Sequence, residues 1–161
     1  MKVFKPFVLA VLLFSSLVSS ASDNFPIGPN PTTTPGSVCL NSPIKRYPEG
    51  ITYCERNVSS ETKNALIKMY DDQFNYHIRQ MNRGDFKIDH FIPLSIGGSN
   101  SSDNLWPQHK SVYTVTDPLE QLLSDKIIQA KIKQADAIRV IKEAKLNLGR
   151  VPELIDYVNR L

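Results

Sequence analysis

The segment Phe86-Lys87-Ile88-Asp89-His90-Phe91-Ile92-Pro93-Leu94 constrains this chain most, because it reads as an apolar strand that carries an acid and an imidazole side by side at its middle. Neighbouring side chains on a strand point to opposite faces. One member of the Asp89-His90 pair is therefore directed into the core unless the strand bends around a groove. The strand is expected to end near Pro93. Gly97-Gly98 and the Ser/Asn pairs through Asp103 predict a tight polar loop, and Asn104-Leu105-Trp106-Pro107 predicts a second short strand. Asp117-Pro118-Leu119-Glu120 then has the marks of a helix start: an acid at the cap, proline at the first helical position and Glu three residues after the cap. Leu119, Leu122, Leu123, Ile127 and Ile128 repeat on one face of that helix. The order is strand, loop, strand, helix.

Around this unit the pattern is mostly helical. Ser59 or Ser60 can cap a helix in which Ala65, Leu66, Met69 and Tyr70 recur, ending near Asp72. Ile132, Ala135, Ile138, Val140 and Ile141 suggest a further helix or a continuation, and Leu154, Ile155 and Val158 a short terminal one after Pro152. Between residues 22 and 37 there is little to bury, so a flexible spacer rich in Pro, Thr and Ser is expected. Cys39 and Cys54 enclose an irregular segment or short hairpin containing Pro43, Pro48 and Gly50, and the natural reading of the two is a disulfide. A metal site there would need more soft ligands nearby.

Residues 1–21 read as a signal peptide: Lys2 and Lys5, a short apolar run, then Ser19 and Ala21 at the cleavage positions. The expected product is exported, periplasmic or secreted, without a membrane anchor. Loss of the leader takes the formal charge from +3 to +1, since it contains those two lysines and no acid. Net charge then gives no argument for a nucleic-acid partner, and any such reading must come from a site.

Such a site is suggested by a resemblance. Ile88-Asp89-His90-Phe91-Ile92-Pro93-Leu94, Gly97-Gly98 and Asn104-Leu105-Trp106-Pro107-Gln108 resemble, in order and spacing, the DH-x-IPL-x-x-GG…NLWPQ form of the HNH nuclease motif. The resemblance implies an α+β domain over residues 38–161, small and mainly helical, built around a ββα-metal unit at about 86–130. It also implies metal-dependent endonuclease activity on DNA in preference to RNA, with low sequence specificity. His90 would be the general base that deprotonates water. Asp89 would bind one divalent cation, Mg2+ first, with Mn2+, Ni2+ or Zn2+ as alternatives. Asn104 matches the middle motif position, where the amide ties the loop and helps orient the base.

The third position departs from the pattern, falling near Tyr113, a poor ligand. His109, Asp117 and Glu120 are the nearby replacements, although Asp117 and Glu120 already have a sufficient role as the two halves of a helix cap. Trp106 is expected in the core. Lys87, Lys110 and Arg56 or Arg83 are candidate phosphate contacts, each readable as an ordinary solvated charge. Two other readings stay open: a non-catalytic nucleic-acid-binding module that keeps the HNH scaffold, and a toxin-like effector restrained by an inhibitor protein.

Overall fold

The computed structural model describes residues 24–161, in which four α-helices and two antiparallel strand pairs form an α+β fold. The leader expected over residues 1–21 lies outside the described residues. Lys45–Arg46 (β1) and Ile51–Thr52 (β2) form a small hairpin, and the disulfide joins Cys39 to Cys54 across its base. Helix α1 spans Ser60–Phe74; the Ser59 side chain caps it by accepting from the Thr62 N–H, and Asn75 stops it with a left-handed φ of 57°.

Phe86–His90 (β3) pairs antiparallel with Leu105–His109 (β4), with Phe86 opposite His109 and Asp89 opposite Trp106. The strand stops at His90, short of Pro93, because Asn104 grips the next two residues. Its backbone carbonyl accepts from Phe91 N, its Oδ1 accepts from Ile92 N at 2.8 Å, and its Nδ2 donates to the carbonyls of Ile92 and Ser99. Both loop glycines are demanded by this closure. Gly97 has φ +89°, and a Cβ on Gly98 would lie 1.8 Å from the Ile92 carbonyl oxygen.

Helix α2, Lys110–Ile128, starts eight residues earlier than the Asp117-Pro118 signature indicates. Its cap is His109, whose Nδ1 accepts from Ser111 N, and Pro118 sits in the helix interior. An interior proline removes a hydrogen bond and costs about 3 kcal/mol. The buried stripe Val112, Thr116, Leu119, Leu123 and Ile127 runs through it and outweighs that cost. Asp117 and Glu120 are therefore not a capping pair; they stand one turn apart on the side of a continuous helix. Gln134–Leu146 (α3) and Val151–Asn159 (α4) come next as separate helices, with Pro152 in the first turn of α4.

The expected flexible spacer is, over residues 24–37, a packed strap. Thr34 is fully buried with its hydroxyl 2.9 Å from the Tyr70 hydroxyl, Gly36 N donates to the Asp103 carbonyl, and the Phe25 ring stacks on His109 at 4.0 Å. The segment has few apolar side chains, and hydrogen bonds from several of its polar groups hold it instead. Asn30 Oδ1, for instance, accepts from Thr32 N and Thr33 N. Two apolar clusters hold the domain. One joins Leu66, Tyr70, Phe86, Ile88, Leu105 and Trp106; the other joins Leu119, Leu123, Val140, Ile141, Leu154 and Val158.

Candidate active site

Alternation along β3 puts Lys87 and Asp89 on one face and Phe86, Ile88 and His90 on the other. The Asp89 face meets α2. There Asp89, Asp117 and Glu120 each offer a carboxylate oxygen, and all three oxygens lie within 4.8 Å of one another. Asp89 is 6% exposed, and its Oδ2 is buried without a hydrogen bond. Two ammonium groups face these three carboxylates. Lys145, on α3 and fully buried, has its Nζ 2.6 Å from Glu120 Oε1 and 3.7 Å from Asp89 Oδ2, and donates to the His90 carbonyl at 2.5 Å. The Glu120 contact is an ion pair outside hydrogen-bond geometry, which leaves Oε1 also without a hydrogen bond. Lys87 Nζ lies 3.0 Å from both Asp117 oxygens, 3.4 Å from Asp89 Oδ2 and 4.5 Å above the Tyr113 ring.

Burial raises the pKa of both interior carboxyl groups, and their neighbours then separate them. At Asp89 the fields of Lys145 and Lys87 overcome the desolvation and hold the group below the ordinary aspartate value. At Glu120 desolvation dominates; the Asp89 charge adds to it, Lys145 opposes it, and the group ends above its ordinary value. For Lys87, burial works against the charge, but the pull of Asp89 and Asp117 is greater and the ammonium is held.

His90 belongs to a different set of neighbours. Its ring is 2% exposed, and its Nε2 lies 3.1 Å from Asn100 Oδ1. Arg56 donates to the Ile88 carbonyl at 2.8 Å, beside the imidazole. Desolvation first, then the positive fields of Arg56 and Lys145, lower the His90 pKa against the opposing effects of Asn100 and Asp89. The ring is thus held uncharged, the state a general base needs. It lines neither of two neighbouring open clefts, but Asn100 lines both: one of 560 Å³ beside Ser37, Cys39, Asn41, Cys54 and Asp103, and one of 430 Å³ beside Ser42, Glu55, Arg56 and Asn57.

Of the residues anticipated from sequence, Asp89, Asp117 and Glu120 come together. His109 does not join them. It faces Phe86 on the opposite side of the hairpin from Asp89, stacks on Phe25 and caps α2, so strand alternation keeps it apart from the three carboxylates. Lys87, anticipated as a phosphate contact, is committed to carboxylates; Lys110 pairs with Asp85 at 2.9 Å, and Arg83 donates to the Phe86 carbonyl. Exposed Arg56 borders the smaller cleft. Asn104 is a positioning residue, with its amide engaged on loop backbone, and Trp106 is fully buried in the core.

Two residues went unseen in the sequence. Lys145 had a readable signal: it continues the buried α3 stripe Ala137, Val140, Ile141 and Ala144, a place where a lysine demands partners. Asn100 had none beyond its place in a polar loop. Compared with known protein families, curated proteins and solved structures, the chain gives no match in any of the three.

Proposed function

We propose that this chain is an exported nuclease that hydrolyses phosphodiester bonds with the help of one divalent cation, in the manner of the HNH enzymes its motifs resemble. The observation that carries the reading is Asp89: a buried carboxylate with one oxygen lacking a hydrogen bond, facing Asp117 and Glu120 and adjacent in sequence to an uncharged imidazole. Three oxygen donors with no nitrogen or sulfur among them suit a hard cation, which favours Mg2+ or Mn2+ over Ni2+ and Zn2+. When bound there, the cation would supply positive charge to the phosphoryl oxygens and the departing oxygen.

The chain's own groups have distinct tasks. His90 withdraws a proton from the attacking water, its burial and cationic neighbours keeping it ready to accept one. Asn104 fixes the loop that follows the base. Lys145 holds the His90 carbonyl and two of the carboxylates in place. Arg56, exposed at a cleft, is suited to a substrate phosphate. As the HNH resemblance implies, DNA is taken in preference to RNA and with little regard to sequence. The Cys39–Cys54 bond accords with passage into an oxidising compartment, periplasmic or outside the cell.

A second reading draws on a specific observation. Lys145, fully buried between Asp89 and Glu120, can together with Lys87 supply the positive charge the cluster needs, so that the network staples α3 to α2 in a non-catalytic nucleic-acid-binding module. Incubation of the purified chain with supercoiled plasmid separates the two. The nuclease reading expects nicking with Mg2+ or Mn2+, none with EDTA, and loss in His90→Ala. Plasmid binding without nicking in every common divalent cation would establish the module instead.

A further inference from the structure

Asn100 determines which nitrogen of His90 carries a proton. The orientation of its amide is fixed by two backbone groups with a single hydrogen-bonding role each. The Glu55 carbonyl can only accept, so the atom 2.7 Å from it is the amide nitrogen. The Asn57 N–H can only donate, so the atom 3.3 Å from it is the oxygen. Both constraints turn Oδ1 toward His90 Nε2, 3.1 Å away. A carbonyl oxygen accepts and never donates, so Nε2 must be the donor. In the uncharged ring, Nδ1 is then left with the lone pair.

We infer that Asn100 is a positioning residue: it holds His90 as the Nε2–H tautomer and makes Nδ1 the atom that accepts the water proton. The base role of Nδ1 rests on the nuclease reading; the proton placement stands on the hydrogen-bond geometry alone. The arrangement also explains why a short segment next to the disulfide is built as it is. Cys54 is followed directly by Glu55, whose carbonyl holds the amide, then by Arg56 on the Ile88 carbonyl and Asn57 on the amide oxygen. Two of these three successive residues hold the amide that meets the imidazole, and the third holds the strand that bears it. Asn100 also lines both clefts, so the residue that orients the ring is itself open to solvent.

Long-range proton–nitrogen NMR on ¹⁵N-labelled protein at about pH 8, where a histidine is uncharged, reads the tautomer directly. The chain has three histidines, and the spectrum of His90→Gln assigns the signal. Expected in the wild type is a proton on Nε2 in slow exchange with water and a bare Nδ1. In Asn100→Ala that protection should drop about tenfold or more, and kcat on a short duplex should fall about tenfold while KM holds. A proton on Nδ1 in the wild type, or protection unchanged in Asn100→Ala, overturns the inference while a plasmid-nicking wild type leaves the nuclease reading in force. The expected tautomer in a protein that cuts no DNA has the opposite meaning: the proton placement stands and the nuclease reading falls.

Discussion

Lys145 is the fully buried cation of the carboxylate cluster. Its ammonium is fully buried and has Asp89, Glu120 and the His90 carbonyl as partners. Removing one member of such a network leaves buried charge uncompensated, typically a loss of about 3–5 kcal/mol. Lys145→Met should therefore lower the urea midpoint by a corresponding amount, and Mn2+ should restore more stability to it than to the wild type because a cation then replaces the missing ammonium. A variant as stable as the wild type would mean that the cluster is solvated and weakly coupled. His90 leads to a pH prediction. Folding lowers its pKa from 6.5, so as the pH falls through that value the unfolded chain binds a proton that the folded chain resists, and stability is lost. Glu120 acts in the opposite sense, since its raised folded pKa makes protonation on the way down to its ordinary 4.5 stabilising. Urea midpoints at about pH 7.5 and about pH 5.5 should fall more steeply for the wild type than for His90→Gln; parallel behaviour would mean that His90 is not held uncharged by the fold.

The elements themselves were legible to different degrees, and for physical reasons. The β3–β4 hairpin could be read because alternation, two glycines and the second apolar run agree, and the Ser59 cap because its partner Thr62 is local. The start of α2 could not. Asp117-Pro118 satisfies a local signature, but the buried positions Val112 and Thr116 upstream decide the matter through packing that sequence periodicity only hints at. That misreading also gave Asp117 and Glu120 a capping role that the continuous helix does not need. Pro118→Ala restores an N–H opposite the Thr114 carbonyl and should raise stability by about 1–3 kcal/mol in denaturant, less any gain in unfolded-chain freedom; an unchanged midpoint would mean the helix is already bent to suit the proline. Gly98→Ala tests the loop closure. Its Cβ would lie 1.8 Å from the Ile92 carbonyl, so a loss of about 3 kcal/mol is expected, and tolerance of the substitution would show that Asn104 does not fix the loop as described.

For the whole molecule, the strap before the disulfide is a structural part that composition disguised. Pro, Thr and Asn promised little burial, yet residues 24–37 pack against α1 and the GG loop through polar contacts that no pattern of apolar residues announces. Opening the Cys39–Cys54 bond, with its sequence separation of 15, should cost about 3 kcal/mol, read as a lower midpoint in dithiothreitol that Cys39→Ser with Cys54→Ser reproduces. The proposed chemistry depends on a cation held between the hairpin and α2. Calorimetric titration with Mn2+ measures that most directly. One ion per chain is predicted, lost in Asp89→Asn and weakened in Glu120→Gln and Asp117→Asn, with His109→Ala unaffected. Absence of binding to the wild type, or binding abolished by His109→Ala and retained in Asp89→Asn, would contradict it.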